Sequence, residues 1–239
     1  MNRTDFFSGK MNEIVSVLMM KNRFYLKILV LFSIISLFIF SGCALFEVKK
    51  EKSAEELASE GMAYFAKEKY RGAIESFEKL KDWYPFSKFA ILAELKIADA
   101  HYHLKEYEEA VFAYEAFEAL HPRNEAIPYV IYQIGHCYFQ QLEGIDRDQT
   151  TTQKAMDIFS RLLRQFPKDV YAKKAEKPIR KCKKNLAEHE FYVGRFYYKN
   201  KNYKAALKRF ETVLSVYPDV GIQQDARRYV TLCKAELKE

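Results

Sequence analysis

One cysteine stands where covalent modification is expected. Cys43 follows an uncharged apolar run, residues 28–40, and two small residues, Ser41 and Gly42. Basic residues precede the run, which is shorter than the roughly 18–20 residues that a membrane-spanning helix needs. This order is typical of a secretory signal peptide, and a cysteine at its exit is typical of a bacterial lipobox. The sequence therefore predicts cleavage before Cys43 and acylation of its thiol, so that a lipid anchors the mature chain.

The other residues that could act as nucleophiles or metal ligands are scattered. Cys137, Cys182 and Cys233 lie far apart and form no CxxC spacing, so they resemble neither a zinc site nor a disulfide framework. We expect buried free thiols within helices, with a Cys182–Cys233 bridge in an oxidising compartment as the alternative. His101 and His103 fall on different sides of a helix and are badly placed to share a metal. We therefore expect no enzyme, no metal and no cofactor apart from the covalent lipid.

The charge of the chain falls when the predicted leader is removed. The full sequence has a net charge of +7, and residues 1–42 hold five basic and two acidic residues, which leaves +4. Such a mild excess does not indicate a nucleic-acid partner. Basic residues are concentrated in residues 168–184, which contain eight basic and two acidic side chains. We interpret this stretch as a solvated helix face or as a docking patch for an acidic partner or anionic lipid.

The elements that must position any binding site are helical and repeated. Apolar residues recur at helical spacing, and no alternating stretch predicts a strand. Four times, a small residue and an aromatic residue in one helix precede an Ala-x-x-x-aromatic helix and then a proline. The occurrences are Gly61/Tyr64 with Ala73/Phe77 and Pro85, Ala98/Tyr102 with Ala110/Tyr114 and Pro122, Gly135/Tyr138 with Ala155/Phe159 and Pro167, and Gly194/Tyr197 with Ala206/Phe210 and Pro218. This tetratricopeptide pattern predicts an all-α, right-handed superhelical solenoid of about four to five helix–turn–helix units.

The remaining segments set the predicted domain boundaries. Residues 1–42 form the signal peptide, in which residues 1–19 are interpreted as an over-extended gene start or as a long basic region. Residues 43–52 are a lipidated tether. Residues 53–168 hold the first three repeats, and residues 169–239 hold the carboxy-terminal repeats and a capping helix.

Three segments depart from the repeat. Residues 141–152 lengthen the third unit into a loop, in which a threonine is predicted to cap the next helix. One long helix is predicted from Val170 to about Tyr198, interrupted at most near Pro178. A final helix over residues 223–238 is predicted to cap the solenoid with a polar outer face.

The first helices of the units predict a binding surface, because solenoids bind partners on their concave face. An aromatic groove with few charges suits an extended or helical peptide that carries aromatic side chains. The alternative is that about half of these aromatic residues belong to the core between repeats. The predicted groove residues are Met62, Phe65, Leu95, Asp99, Tyr102, His103, Tyr129, Tyr132, His136 and Phe139.

With the lipobox and the repeats, three local strings resemble the BamD family of outer-membrane assembly lipoproteins. They are YRGAIESFEKLKDWYPFSKFA (70–90), GIDRDQTTTQKA (144–155) and LAEHEFYVGRFYYKNKNYKAALKRFETVLSVYPD (186–219). The resemblance covers nearly all of residues 53–239. It implies a tetratricopeptide lipoprotein of the β-barrel assembly machinery, held by its lipid in the outer membrane and facing the periplasm.

The resemblance also implies partners. Its amino-terminal repeats would receive unfolded outer-membrane proteins, and its carboxy-terminal repeats would dock on the periplasmic domains of the BamA barrel and on accessory lipoproteins. Two other functions stay open, namely an envelope adaptor such as a secretin pilotin or a cell-division and peptidoglycan coordinator, and an enzyme-associated chaperone for secreted substrates. The candidate docking residues are Lys173, Lys174, Arg180, Lys199, Lys201 and Lys204.

Overall fold

The computed structural model describes residues 51–238 and five isolated positions in the leader, all of them helical and exposed: Met19, Lys21, Leu29, Leu31 and Ser33. The chain divides into two units, Met1–Glu51 and Lys52–Glu239. Cys43 and most of the predicted signal peptide and tether lie outside the described residues, so cleavage and acylation there stay predictions. Within the described residues, no helix combines the length and the apolar character needed to cross a bilayer.

Residues 51–238 form nine α-helices and no strand, which confirms the all-α tetratricopeptide fold. Each helix packs against the next one along the chain, and the short connections make consecutive helices antiparallel neighbours. The helices are α1 (Ala54–Ala66), α2 (Tyr70–Trp83), α3 (Ala90–His103), α4 (Tyr107–Leu120), α5 (Ile127–Gln140), α6 (Thr150–Gln165), α7 (Val170–Lys199), α8 (Tyr203–Val216) and α9 (Gln223–Glu236).

The small residues of the repeat motif allow the two helices of a unit to approach closely. A methyl group placed on Gly61 would lie 2.6 Å from the ring of Phe77, and one on Gly135 would lie 2.7 Å from the ring of Phe159. Both phenylalanines are fully buried. The motif therefore encodes a specific contact, in which a ring of the second helix packs directly onto the backbone of the first.

The connection inside a unit is a tight turn in three places and a loop in the fourth. Glu68, Lys105 and Lys201 each adopt a left-handed backbone conformation, with φ of 57°, 61° and 58°. In the third unit, residues 141–149 replace this turn. The prediction that a threonine caps α6 is wrong, because Gln149 occupies the capping position and its side chain makes no capping hydrogen bond.

Helix α7 is continuous over 30 residues and contains Pro178, which confirms the predicted long helix. Its length is about 45 Å at 1.5 Å per residue. The helix contacts α5 and α6 and also α8. Its first half, up to Cys182, contributes to the central core, whereas Phe191, Tyr197 and Tyr198 pack on the core formed by α8 and α9. One helix therefore takes the place of two and joins the first three repeats to the last.

Candidate functional site

Aromatic rings form a connected row across the first helices of the repeats, which we call the aromatic row. Successive ring centroids lie 5.5 Å apart for Phe65 and His103 and 5.7 Å apart for Tyr102 and His136. Distances of this size are within the favourable range for aromatic pairs. The row consists of Phe65, Tyr70, Tyr102, His103, Tyr129, Tyr132, His136, Phe139 and Tyr171.

Seven of the ten predicted groove residues belong to this row, and two of its members were missed. Tyr70 stacks on His103 at 4.8 Å with nearly parallel rings, and Tyr171 contacts both Tyr129 and Tyr132. A signal for Tyr70 was present, because a tyrosine also begins the second helix of two other units. Tyr171 lies at the start of α7, outside the helices that were projected.

Asp99 was predicted to line the groove, but it lies beneath the row and does not line it. Asp99 is only 3% exposed. The hydroxyls of Tyr114 and Tyr129 donate to its Oδ1 at 2.7 and 2.6 Å, and Lys96 Nζ lies 2.7 Å from Oδ2. Burial, followed by the charge of Asp99, raises the pKa of both tyrosines. The carboxylate is fully used in holding α3, α4 and α5 together.

His136 and Tyr102 link the middle of the row by a hydrogen bond. The distance from the Tyr102 hydroxyl to His136 Nδ1 is 2.7 Å. Burial lowers the pKa of His136 below its ordinary value of 6.5, which favours the neutral imidazole, and its Nδ1 then accepts a hydrogen bond from the tyrosine hydroxyl. The same effect of burial raises the pKa of Tyr102. The row therefore presents uncharged rings at this point.

Lysines border the row, which corrects the expectation of few charges. Lys181 Nζ lies 5.3 Å from the ring centre of Phe139, and Lys174 Nζ lies 4.7 Å from that of Tyr171. Both lysines are exposed, and within residues 51–238 neither forms an ion pair. Lys174 thus belongs to the end of the row as well as to the basic stretch of α7. The surface suits aromatic groups accompanied by a carboxylate.

The other two predicted groove residues are placed differently. Met62 is 39% exposed, and Leu95 packs partly buried against the central core. Several row members also pack against a core, including Phe65 and Tyr129. The alternative that part of these rings belongs to the core is therefore confirmed, since they form the rim of the core. They also keep part of their surface accessible, and peptide binding there stays a prediction.

The six basic docking candidates separate into two groups rather than one patch. All are exposed. Lys173 and Lys199 are 26 positions apart on one helix, which corresponds to about 39 Å. The first group is Lys173, Lys174 and Arg180 on α7, and the second is Lys199, Lys201 and Lys204 around the turn into α8. Their role in docking stays a prediction.

The three cysteines of the described helices are buried free thiols, as predicted. Burial raises the pKa of Cys137 and Cys182 to about 12, and it also raises the pKa of Cys233. Such thiols are poor nucleophiles. Among the described residues, no group of His, Cys, Asp or Glu is arranged to hold a metal ion.

A cleft that the sequence reasoning missed lies between α2 and α4, with α3 as its floor. Its volume is about 530 Å³. Phe112 and Leu120 of α4 line it and are 76% and 68% exposed, and Glu78, Glu108 and Glu109 also line it. The eight-residue spacing of the two apolar residues on one helix face was the available signal.

Comparison with known proteins places the chain among outer membrane lipoproteins. The family model described as "YfiO: Outer membrane lipoprotein" matches residues 50–237. A relative from Rickettsia prowazekii (strain Madrid E), named outer membrane protein assembly factor BamD, is 35% identical over 161 residues, 67% of this chain and 64% of the relative. The protein of that name from Caulobacter vibrioides is 27% identical over 198 residues, 76% of this chain and 65% of the relative. The match thus spans less than two thirds of either relative.

Solved tetratricopeptide proteins align over a similar share of the chain. The TPR2AB-domain:pHSP90-complex of yeast Sti1 aligns with a TM-score of 0.44 and 18% identity, and covers 77% of this chain and 70% of that chain. A thermophilic tetratricopeptide protein from Thermus thermophilus aligns with a TM-score of 0.42 and 17% identity, and covers 75% of this chain and 98% of that chain.

Proposed function

The chain belongs to the YfiO family of outer membrane lipoproteins, and we propose that it is a non-enzymatic assembly factor for outer-membrane β-barrel proteins. In this proposal, lipid on Cys43 anchors it to the outer membrane, and its repeats face the periplasm. The name shared by its relatives, outer membrane protein assembly factor, supports this role. The observation that carries the proposal is the aromatic row, which forms a connected, partly exposed face across five helices.

The row suits an unfolded barrel precursor for a physical reason. Strands of a transmembrane barrel carry lipid-facing apolar and aromatic residues at alternate positions. Before insertion these side chains need an apolar partner. Partly exposed rings such as Tyr132 and Phe139 provide such contacts without any covalent reaction. Lys174 and Lys181, whose ammonium groups lie over rings of the row, would pair with a carboxylate of the bound segment. Binding of this kind is passive and needs no nucleotide.

The carboxy-terminal repeats are proposed to dock on a BamA-like barrel protein and on accessory lipoproteins. The exposed lysines at the two ends of α7 support this proposal. Because they are about 39 Å apart, they would engage two separate acidic surfaces. Charge reversal of one group should then weaken one contact and spare the other.

A double change in the row tests the binding face. In Phe65→Ala/Tyr102→Ala, two contacts of the row are removed, and we expect a peptide ending in an aromatic residue to bind roughly thirty-fold more weakly, the loss of about 2 kcal/mol typical of a hot spot. Phe112→Ala, which truncates an aromatic residue that is 76% exposed on α4, is the matched control. Fluorescence anisotropy measures the affinity, and circular dichroism checks folding. Unchanged affinity in a folded double variant would show that these two rings serve the core and do not bind the peptide.

Depletion in cells tests the function itself. Loss of the protein should lower the amount of folded porins in the outer membrane and raise the envelope stress response. Normal porin levels after complete loss would contradict the proposal. Affinity purification from detergent-solubilised envelopes separates the alternatives, because recovery of a secretin or of division proteins, without a BamA-like barrel, would support an envelope adaptor.

A further inference from the structure

The turn between α2 and α3 exposes two large aromatic side chains. Trp83 is 52% exposed and Phe86 is 101% exposed. The turn is nevertheless ordered, since Ser87 N donates to the Tyr84 carbonyl at 3.0 Å and Ala90 N donates to the Ser87 carbonyl at 2.9 Å. Exposure of Phe86 is therefore built into the turn and is not the result of a loose segment.

The other repeats provide an internal standard for this turn. The four units read WYPF, LHPR, QFPK and VYPD around the proline that ends the second helix. The residue after the proline is Arg123, Lys168 or Asp219 in three units, and Phe86 in the first. Because a charged residue satisfies this exposed position elsewhere, the turn itself does not require an aromatic residue there.

The turn also lies beside the start of the folded unit. The Tyr84 hydroxyl donates to the carbonyl of Lys52 at 2.8 Å. Eight residues lie between Cys43 and Lys52, so a fully extended chain spans at most about 30 Å between them. Of the four equivalent turns, this one is nearest in sequence to the predicted lipid.

Basic side chains accompany the aromatic pair. Lys81 and Lys88 are exposed on either side of it, with Asp82 as the acidic residue between them. Lys88 Nζ lies 5.0 Å from the ring centre of Phe89. Tryptophan with flanking lysine is the combination that favours the membrane–water interface, where rings sit at headgroup level and ammonium groups face phosphate.

We propose that Trp83 and Phe86 rest on the phospholipid surface that holds the anchor, with Lys81 and Lys88 directed at lipid phosphates. The inference rests on the proposed acylation of Cys43, because a short tether keeps the turn close to the bilayer. Its consequence is orientation, since a lipid and an aromatic contact together fix how the first repeat faces the membrane, whereas a lipid alone leaves it free to rotate.

Trp83 is the only tryptophan of the chain, so its fluorescence reports on this turn alone. The acylated full chain is reconstituted into vesicles of phosphatidylethanolamine and phosphatidylglycerol, with and without brominated acyl chains. We expect emission to shift to shorter wavelength and the bromines to quench it. Phe86→Arg, which installs the second repeat's residue, should reduce the quenching by about two-fold, because a charged side chain disfavours immersion. Phe112→Arg is the matched control and should leave the quenching unchanged.

The outcomes separate this contact from the anchor. Chains that float with the vesicles while Trp83 stays unquenched would overturn the contact and leave the anchor standing. Chains that fail to float would overturn the anchor and the contact with it. Quenching that is equal in wild type and Phe86→Arg would show that Phe86 takes no part. Shielding of Trp83 only after a purified barrel protein is added would assign the turn to a protein partner instead.

Discussion

The third and fourth occurrences of the repeat motif make the same contact in different surroundings. A methyl group on Gly135 would lie 2.7 Å from the Phe159 ring, and one on Gly194 would lie 2.7 Å from the Phe210 ring. In the third unit, Tyr132 and Phe139 of the aromatic row contact Phe159. In the fourth, the contacting rings come from α7 and from the last helix. The motif therefore fixes the pairing of two helices, and the neighbouring helix decides whether their aromatic face stays accessible.

The fourth unit uses its rings as core. Tyr229 of α9 stacks on Phe210 at 4.8 Å, and Phe191 packs against both of them. The buried part of this core is small, with Ala206, Phe210 and Cys233 as its members. The central core, by contrast, draws on α3 to α7. The amino-terminal repeats therefore keep a partly exposed aromatic face, and the carboxy-terminal pair is a smaller unit held by α7.

Removal of the central ring of the third or the fourth unit should have the largest effect and should show whether the two regions unfold separately. Phe159→Ala and Phe210→Ala each remove a fully buried ring, and we expect each to lower the free energy of unfolding by about 4 kcal/mol. Hydrogen exchange should show loss of protection across α3 to the first half of α7 in Phe159→Ala. In Phe210→Ala the loss should be confined to α8, α9 and the end of α7. Uniform loss in both variants would mean that the molecule is one cooperative unit.

Buried polar groups should distinguish the two regions next. In Asp99→Ala the hydroxyls of Tyr114 and Tyr129 lose their acceptor inside the core, and we expect a loss of about 3 kcal/mol. In Glu190→Ala the lost partner is Arg209, which is 39% exposed, so the loss should be at most about 1 kcal/mol. Urea unfolding measures both values. Equal losses would contradict the view that only the first region depends on a buried polar network.

The repeat motif was sufficient to predict the helices and their pairing, because each small residue and aromatic residue report one local contact. It was insufficient for Asp99. Projection of α3 gives the direction of that side chain, but not the fact that Tyr114 from α4 and Tyr129 from α5 meet over it. Long-range closure of this kind depends on how three helices pack, which no spacing within one helix encodes.

The candidate site was predicted in part for a similar reason. Seven row residues follow from helical spacing in α3, α5 and the end of α1. The first half of α7 completes the row with Tyr171 and Lys181. These two residues were not predicted, because the high charge of α7 indicated only a docking surface. The sequence predicted too few charges beside the groove, because a lysine side chain can reach a ring on a neighbouring helix. The spacing of residues within one helix does not show that reach.

The pH dependence of His136 offers a smaller test within the row. Burial lowers its pKa below 6.5 in the folded state, so the unfolded chain takes up the proton first as pH falls. Stability is therefore complete above about pH 6.5 and decreases as pH drops through that value towards the folded pKa. We expect stability to fall as pH drops below about 6.5, and we expect His136→Gln to remove that part of the loss. Nuclear magnetic resonance titration of the imidazole checks the assignment, and an imidazole titrating at or above its ordinary pKa would refute it.

The smallest effect concerns the tight turns, which the two regions share. Glu68 and Lys201 have φ of 57° and 58°, a conformation in which glycine avoids the strain of a side chain. Glu68→Gly and Lys201→Gly should each raise stability by about 0.5 kcal/mol, whereas Lys208→Gly, inside α8, should lower it by about 1 kcal/mol. Hydrogen exchange sharpens the comparison, because the Lys201→Gly gain should appear in the carboxy-terminal helices alone if they open as a separate unit. A gain spread evenly over α1 to α9 would show that α7 transmits stability along the whole solenoid.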